Sequence, residues 1–195
     1  MQPVTRALLI ANVTLFLAQM FASAELRNVF ALWPPGSPRY HLWQLLSYAF
    51  LHGSVAHIGL NMLALWMFGS ELERLWGGRR LLLTYLISVL VAALTQIVVS
   101  GYLFGSGGPM IGASGGVFGL LLAYALYFPN RRVMLLIPPI PMRSRTFVMV
   151  YAALELFLGV TQTQAGVAHF AHLGGLFGGW LGVQYFRGRG LFGPR

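Results

Sequence analysis

Residues 101–128 read GYLFGSGGPMIGASGGVFGLLLAYALYF. The stretch divides at Ser114. Before it lies a glycine-rich joint without a charge, and after it an uncharged apolar run that ends at Phe128. Ser114–Phe128 is 15 residues long, about 22 Å of helix against a hydrocarbon core of about 30 Å. If the inner end of this run reaches one face of a bilayer, Ser114 begins several ångströms below the other face. The joint before it must then dip inward. Irregular backbone is tolerated at that depth only where it is buried in protein or lines a wet cavity. A short span opening on a serine therefore calls for further spans around it.

The rest of the chain supplies them. Of 195 residues, 57% are hydrophobic and only 9% charged, with a mean hydropathy of +0.70; a soluble domain carries about 25% charged residues. Apolar runs at Ala7–Ala24, His57–Leu75, Leu81–Tyr102, Phe147–Val160 and Val167–Phe186 join Ser114–Phe128 as six candidate spans. The expected fold class is all-α, a polytopic six-helix bundle. The first run lacks a small-residue cleavage site and is expected to be retained. Without an internal repeat or low-complexity tail, residues 1–195 are expected to form one domain.

All 13 basic residues are Arg, for a formal charge of +9. They lie at the ends of apolar runs and form no aromatic-interleaved basic patch, so nucleic acid is not an expected partner. With the N-terminus inside, Arg6, Arg74, Arg79, Arg80, Arg131, Arg132, Arg143, Arg145, Arg187, Arg189 and Arg195 fall on the cytoplasmic side. Arg27 and Arg39 fall outside, so the ratio is eleven to two. That asymmetry fixes the expected orientation, with both termini cytoplasmic.

Between the first two runs, Glu25–Val55 is too long for a simple hairpin. Its Trp33-Pro34-Pro35-Gly36 and Tyr40-His41-Leu42-Trp43-Gln44 suit a partly helical insertion lying along the outer membrane edge. The cytoplasmic joint Pro129–Arg145 has four Pro and four Arg and cannot be one helix.

Strongly polar side chains within hydrocarbon need a reason. His57, Asn61, Ser114, Glu155, His169 and His172 are the candidates. Spans two, four and six all run inward. His57 and Asn61 are therefore one turn apart in an outer half-span, Ser114 lies at an outer end, and His172 about 8 Å below one. Four polar groups from three spans converge at one depth.

Gly112-Ala113-Ser114-Gly115 allows a tight loop-to-helix turn and the close approach of another backbone. A helix N-terminus also offers free N–H groups to a developing oxyanion. Taken alone, a serine there is more readily explained as a helix cap. His172 is followed on its own face by Gly175 and Gly179, and such a face lets two helices approach closely. Simple packing explains a glycine face just as well, and a backbone carbonyl explains a buried histidine. The convergence of all four groups at one depth is what favours chemistry.

Together these features resemble the rhomboid family of intramembrane serine proteases. The matching elements are His57-Ile58-Gly59-Leu60-Asn61, Gly112-Ala113-Ser114-Gly115 and Ala171-His172-Leu173-Gly174-Gly175, with Gly69 to Gly77 as the end of span two. The likeness covers nearly the whole chain, at the six-span size of bacterial members. It implies Ser114 as nucleophile and His172 as general base. It implies an oxyanion site from the Ser114 N–H, His57 and Asn61, with Gly112 beside it. Phe118 would stack on the base, with Gly115, Gly175 and Gly179 supporting the pair.

The substrates implied are transmembrane proteins, reached sideways within the lipid bilayer of a bacterial inner membrane, with the site toward the outer side. No metal, nucleotide or organic cofactor is implied. Trp43-Gln44 departs from the Trp-Arg of some bacterial members and puts only the insertion's hydrogen bonding in doubt. With neither Asp nor Cys in the chain, no Ser-His-Asp triad and no thiol chemistry can be built, and a dyad without an acidic partner is expected. His169 is the rival base, Glu155 is expected to hydrogen-bond within the bundle, and Glu73 to pair with Arg74. The competing class is a catalytically silent rhomboid-like protein that binds membrane clients. A transporter would need more broken helices, and a zinc protease an HExxH set.

Overall fold

The computed structural model describes residues 1–102, 108–134, 139–162, 168–190 and 193–194. Each of the six apolar runs contains a helix. Helix α1 (Pro3–Gln19) starts on a proline, whose missing N–H is harmless in a first turn. It stops short of Ala24 because the chain turns there and restarts as α2 (Ser23–Phe30). After the insertion, α3 (Gln44–Ser47) and a 3-10 turn (Tyr48–Phe50) lead to a bend of 100°. Beyond the bend, α4 (Val55–Ala64), a π-helical turn (Leu65–Gly69) and α5 (Ser70–Trp76) form one continuous helix.

Next come α6 (Gly78–Tyr102) and α7 (Ser114–Tyr127). The Pro- and Arg-rich joint folds as a hairpin of β1 (Arg132–Met134) and β2 (Pro141–Arg143), with Val133 opposite Met142. Helices α8 (Ser144–Thr161) and α9 (His169–Phe186) follow, and the chain closes on a ribbon of β3 (Arg189–Gly190) and β4 (Gly193–Pro194). Val167, the expected start of span six, and residues 103–107 of the glycine-rich joint lie outside the described residues.

The protein is mostly helical. Among the described residues, α6 over Gly78–Val99 and α8 are long and apolar enough to cross a membrane, and the bent pair Gln44–Phe50 and Val55–Trp76 makes a third if it counts as one span. Helices α1 and α7 are apolar but shorter, and α9 is diluted by His169, His172, Gln184 and its glycines. The exterior is correspondingly apolar: Leu60, Trp66, Val98, Met149, Phe157 and Phe177 are all exposed. Such a surface is costly in water and neutral in lipid.

Helices α6, α7 and α9 form the centre, and glycine sets their spacing. A Cβ on Gly175 would overlap the Gly115 backbone, and one on Gly179 the Gly119 backbone. Helix α9 has a second bare stripe, Gly174, Gly178 and Gly182, which lies on Thr95, Ser88 and Thr84 of α6. Of the two stripes, Gly175 and Gly179 are the one expected from the sequence.

Two buried polar groups fasten the periphery. Glu73 does not pair with Arg74; it binds the start of α1, accepting from Val4 N (2.8 Å), Thr5 N (2.7 Å) and Thr5 Oγ1 (2.7 Å). The first amides of a helix lack internal partners and carry its positive end, which makes them a better berth for a buried carboxylate than an exposed guanidinium. Gln44 is fully buried in the insertion. Its Oε1 accepts from Trp33 N and His41 N, and its Nε2 donates to Val29 O and Arg39 O. One neutral amide thus closes the loop at the position where the Trp-Arg pair was missing.

Candidate active site

The insertion and α4 hold the segment that delivers Ser114. Leu32 and Met110 exchange backbone hydrogen bonds of 3.0 Å, and Gly112 N donates to Tyr48 O at 3.0 Å. Gly112 itself has φ +127°, and a Cβ there would lie 2.9 Å from Cε1 and Nε2 of His57. Backbone and neighbour alike demand glycine. Helix α7 then begins on Ser114. Its N-cap is Ala113, and no side chain caps it, so the capping explanation of Ser114 does not apply.

The Ser114 hydroxyl instead meets His172, with Oγ 2.8 Å from Nε2. The imidazole is clamped by Phe118, one turn along α7: the ring centroids are 4.5 Å apart and the planes 5° from parallel. Phe118 in turn touches Tyr151 of α8 edge-on at 6.2 Å. Gly115 and Gly175 allow this approach, since a side chain at either would force α7 from its neighbours.

His57 opens α4, where the Ser54 hydroxyl caps its amide at 3.1 Å. Its Nδ1 accepts from Gly53 N at 3.3 Å, which places the ring proton on Nε2, the nitrogen beside Gly112. Asn61 follows one turn later, buried, with one amide N–H committed to the His57 carbonyl at 3.0 Å. Thus Ser114, His172 and Phe118 are brought together, and His57 sits against Gly112. Asn61 is on the same helix face without a hydrogen bond to Ser114.

His169 takes a different partner. Its Nδ1 lies 2.6 Å from Glu155 Oε2, and the same oxygen lies 2.9 Å from His172 Nδ1. The sequence reading expected Glu155 to bond within the bundle and His172 to stand without an acidic neighbour; the structure sets the carboxylate between the two imidazoles. The one available signal was a lone acid in the interior of an apolar run. Ligand atoms of Glu155, His169 and His172 all lie within 4.8 Å of one another, a donor set a divalent cation accepts. Glu155 Oε2 already faces the Nδ1 atoms of both histidines.

These elements coincide with a known domain. A family model described as Rhomboid domain matches residues 39–189. The chain is 33% identical over 139 residues to the "Rhomboid protease GluP" of Bacillus subtilis, covering 71% of this chain and 25% of that protein. It is 28% identical over 180 residues to the "Rhomboid protease GlpG" of Pectobacterium atrosepticum, covering 92% of this chain and 61% of the relative. It is 35% identical over 147 residues to the "RHOMBOID-like protein 4" of Arabidopsis thaliana, at 71% and 32% coverage. The chain therefore spans between a quarter and about three fifths of the length of these relatives.

Proposed function

This chain belongs to the rhomboid family, and on that premise we propose that it is an intramembrane serine endopeptidase working through Ser114 and His172. The observation that carries the reading is the 2.8 Å contact between Ser114 Oγ and His172 Nε2 at the start of α7. We read the six helical runs as six spans of a bacterial inner-membrane protein, with both termini cytoplasmic and the site toward the outer side. The substrate is a transmembrane segment of another protein.

Ser114 Oγ attacks the scissile carbonyl carbon as its proton passes to His172 Nε2. The carbonyl oxygen becomes an oxyanion facing the Ser114 N–H, the His57 Nε2–H and the Asn61 amide, with Gly112 leaving room beside them. The C–N bond breaks, and the Nε2 proton moves to the leaving amine. Water then attacks the acyl-enzyme carbonyl, giving its proton to Nε2, and the C–Oγ bond breaks as Oγ recovers that proton. Phe118 keeps the imidazole plane fixed throughout.

The test is cleavage of a labelled transmembrane substrate by purified protein in liposomes, comparing wild type with Ser114→Ala and His172→Ala. Loss of cleavage in both, with folding intact, supports the assignment. Persistent cleavage by Ser114→Ala overturns the serine mechanism. A silent His169→Ala beside an active His172→Ala would move the base to His169.

A further inference from the structure

Beyond Arg145 in its first turn, α8 carries a single charged residue, Glu155. The side chain is buried, at 7% exposure. A buried carboxylate persists only where charge or hydrogen bonds compensate its lost hydration. Its nearest partners are both imidazoles of α9, with Oε2 2.6 Å from His169 Nδ1 and 2.9 Å from His172 Nδ1. His169 and His172 stand three residues apart on one helix, so a single oxygen from a neighbouring helix reaches both.

We propose that Glu155 is a positioning residue for the base: it holds His172 with Nδ1 protonated and Nε2 free to accept the Ser114 proton. His169 steadies the same carboxylate from its other side. This inference rests on the Ser114–His172 reading. A neutral imidazole carries its proton on only one of two nitrogens. With an anionic oxygen 2.9 Å from Nδ1, a lone pair there faces negative charge and a proton is attracted. The lone pair therefore goes to Nε2, the nitrogen that faces Ser114 Oγ at 2.8 Å. When Nε2 takes the serine proton, the imidazolium lies against Glu155, which remains ionised; the proton leaves again from Nε2 to the amine.

The Nδ1–H lies off the line to Oε2, and no hydrogen bond of ordinary angle reaches that nitrogen. Catalytic hydrogen bonds that are bent in a free enzyme straighten when substrate is bound.

The experiment compares Glu155→Gln and Glu155→Asp with wild type, using kcat and KM for cleavage, the rate at which a fluorophosphonate labels Ser114, and the 15N signature of the His172 tautomer. Glu155→Gln is expected to lower kcat and labelling rate on the order of 100-fold, less than the loss seen when a dedicated triad acid is neutralised. KM should stay within about twofold, the mark of an interaction made in the transition state. Its His172 should shift from the Nδ1–H toward the Nε2–H tautomer. Glu155→Asp keeps the charge and should recover part of the rate with the wild-type tautomer.

A Glu155→Gln enzyme within about threefold of wild-type kcat, or one with His172 still protonated on Nδ1, overturns the positioning role. If Glu155→Gln fails to fold, Glu155→Asp and the wild-type tautomer decide, and an Nε2–H tautomer in wild type overturns the inference. Ser114→Ala separates the two readings. If it is not labelled while Glu155→Gln works at full rate, only the positioning role falls; if it is still labelled, the serine assignment falls too.

Discussion

Gly112 faces two independent exclusions, a φ of +127° and a histidine ring 2.9 Å from where a Cβ would stand. Gly112→Ala is therefore expected to displace His57 and to destabilise the fold by about 1–3 kcal/mol. Cleavage should fall by more than the loss of folded protein explains, which melting in detergent and the cleavage rate together would reveal. Ser114, Gly112 and His172 were legible in the sequence because polar residues within apolar runs, and the glycines beside them, are conspicuous there. The contact between Glu155 and His172 was not: the two lie on different helices, and nothing in the order of residues fixes how α8 is rotated.

Helix spacing decides whether those residues can act. Gly175 has the Gly115 backbone where a Cβ would be, and backbone cannot yield as a flexible side chain does. Gly175→Ala should push α9 from α7, costing about 1–3 kcal/mol of stability and most of the cleavage activity. Gly182→Ala meets Thr84 atoms at 3.0 Å and should be milder in both assays; equal effects at the two positions would contradict this reading of the stripes. Glu73 governs another junction, holding the Val4 and Thr5 amides. Glu73→Gln keeps one acceptor and turns an N–H2 toward donors, so it should lower stability by about 1–3 kcal/mol in thermal unfolding. The bundle should still cleave well below its melting temperature, because α1 contributes no group to the Ser114 cluster. The six runs announced themselves through hydropathy, while the second glycine stripe and the berth of Glu73 did not. Both depend on which helix each face meets.

The proposed orientation belongs to the whole molecule, and the absence of cysteine makes it easy to measure. In a cysteine-free chain, single substitutions report their side without background. Arg39→Cys should react with an impermeant maleimide from outside intact cells, whereas Arg132→Cys should react only after permeabilisation. The reverse pattern would overturn the topology drawn from eleven Arg against two. At this scale the insertion turns out to be structural. Leu32 pairs with Met110, and Tyr48 holds Gly112, so residues 78 and 64 positions apart in the chain set the approach to Ser114. By itself the sequence determined a helical, membrane-suited chain, its Arg asymmetry and the residues capable of serine chemistry, because hydropathy, charge and side-chain type are local properties. Only the tertiary structure decided that His172 rather than His169 meets Ser114, that Phe118 lies flat on the ring, and that Glu155 stands behind it. Those are distances between helices, set by how glycine faces and buried polar groups pack across the bundle.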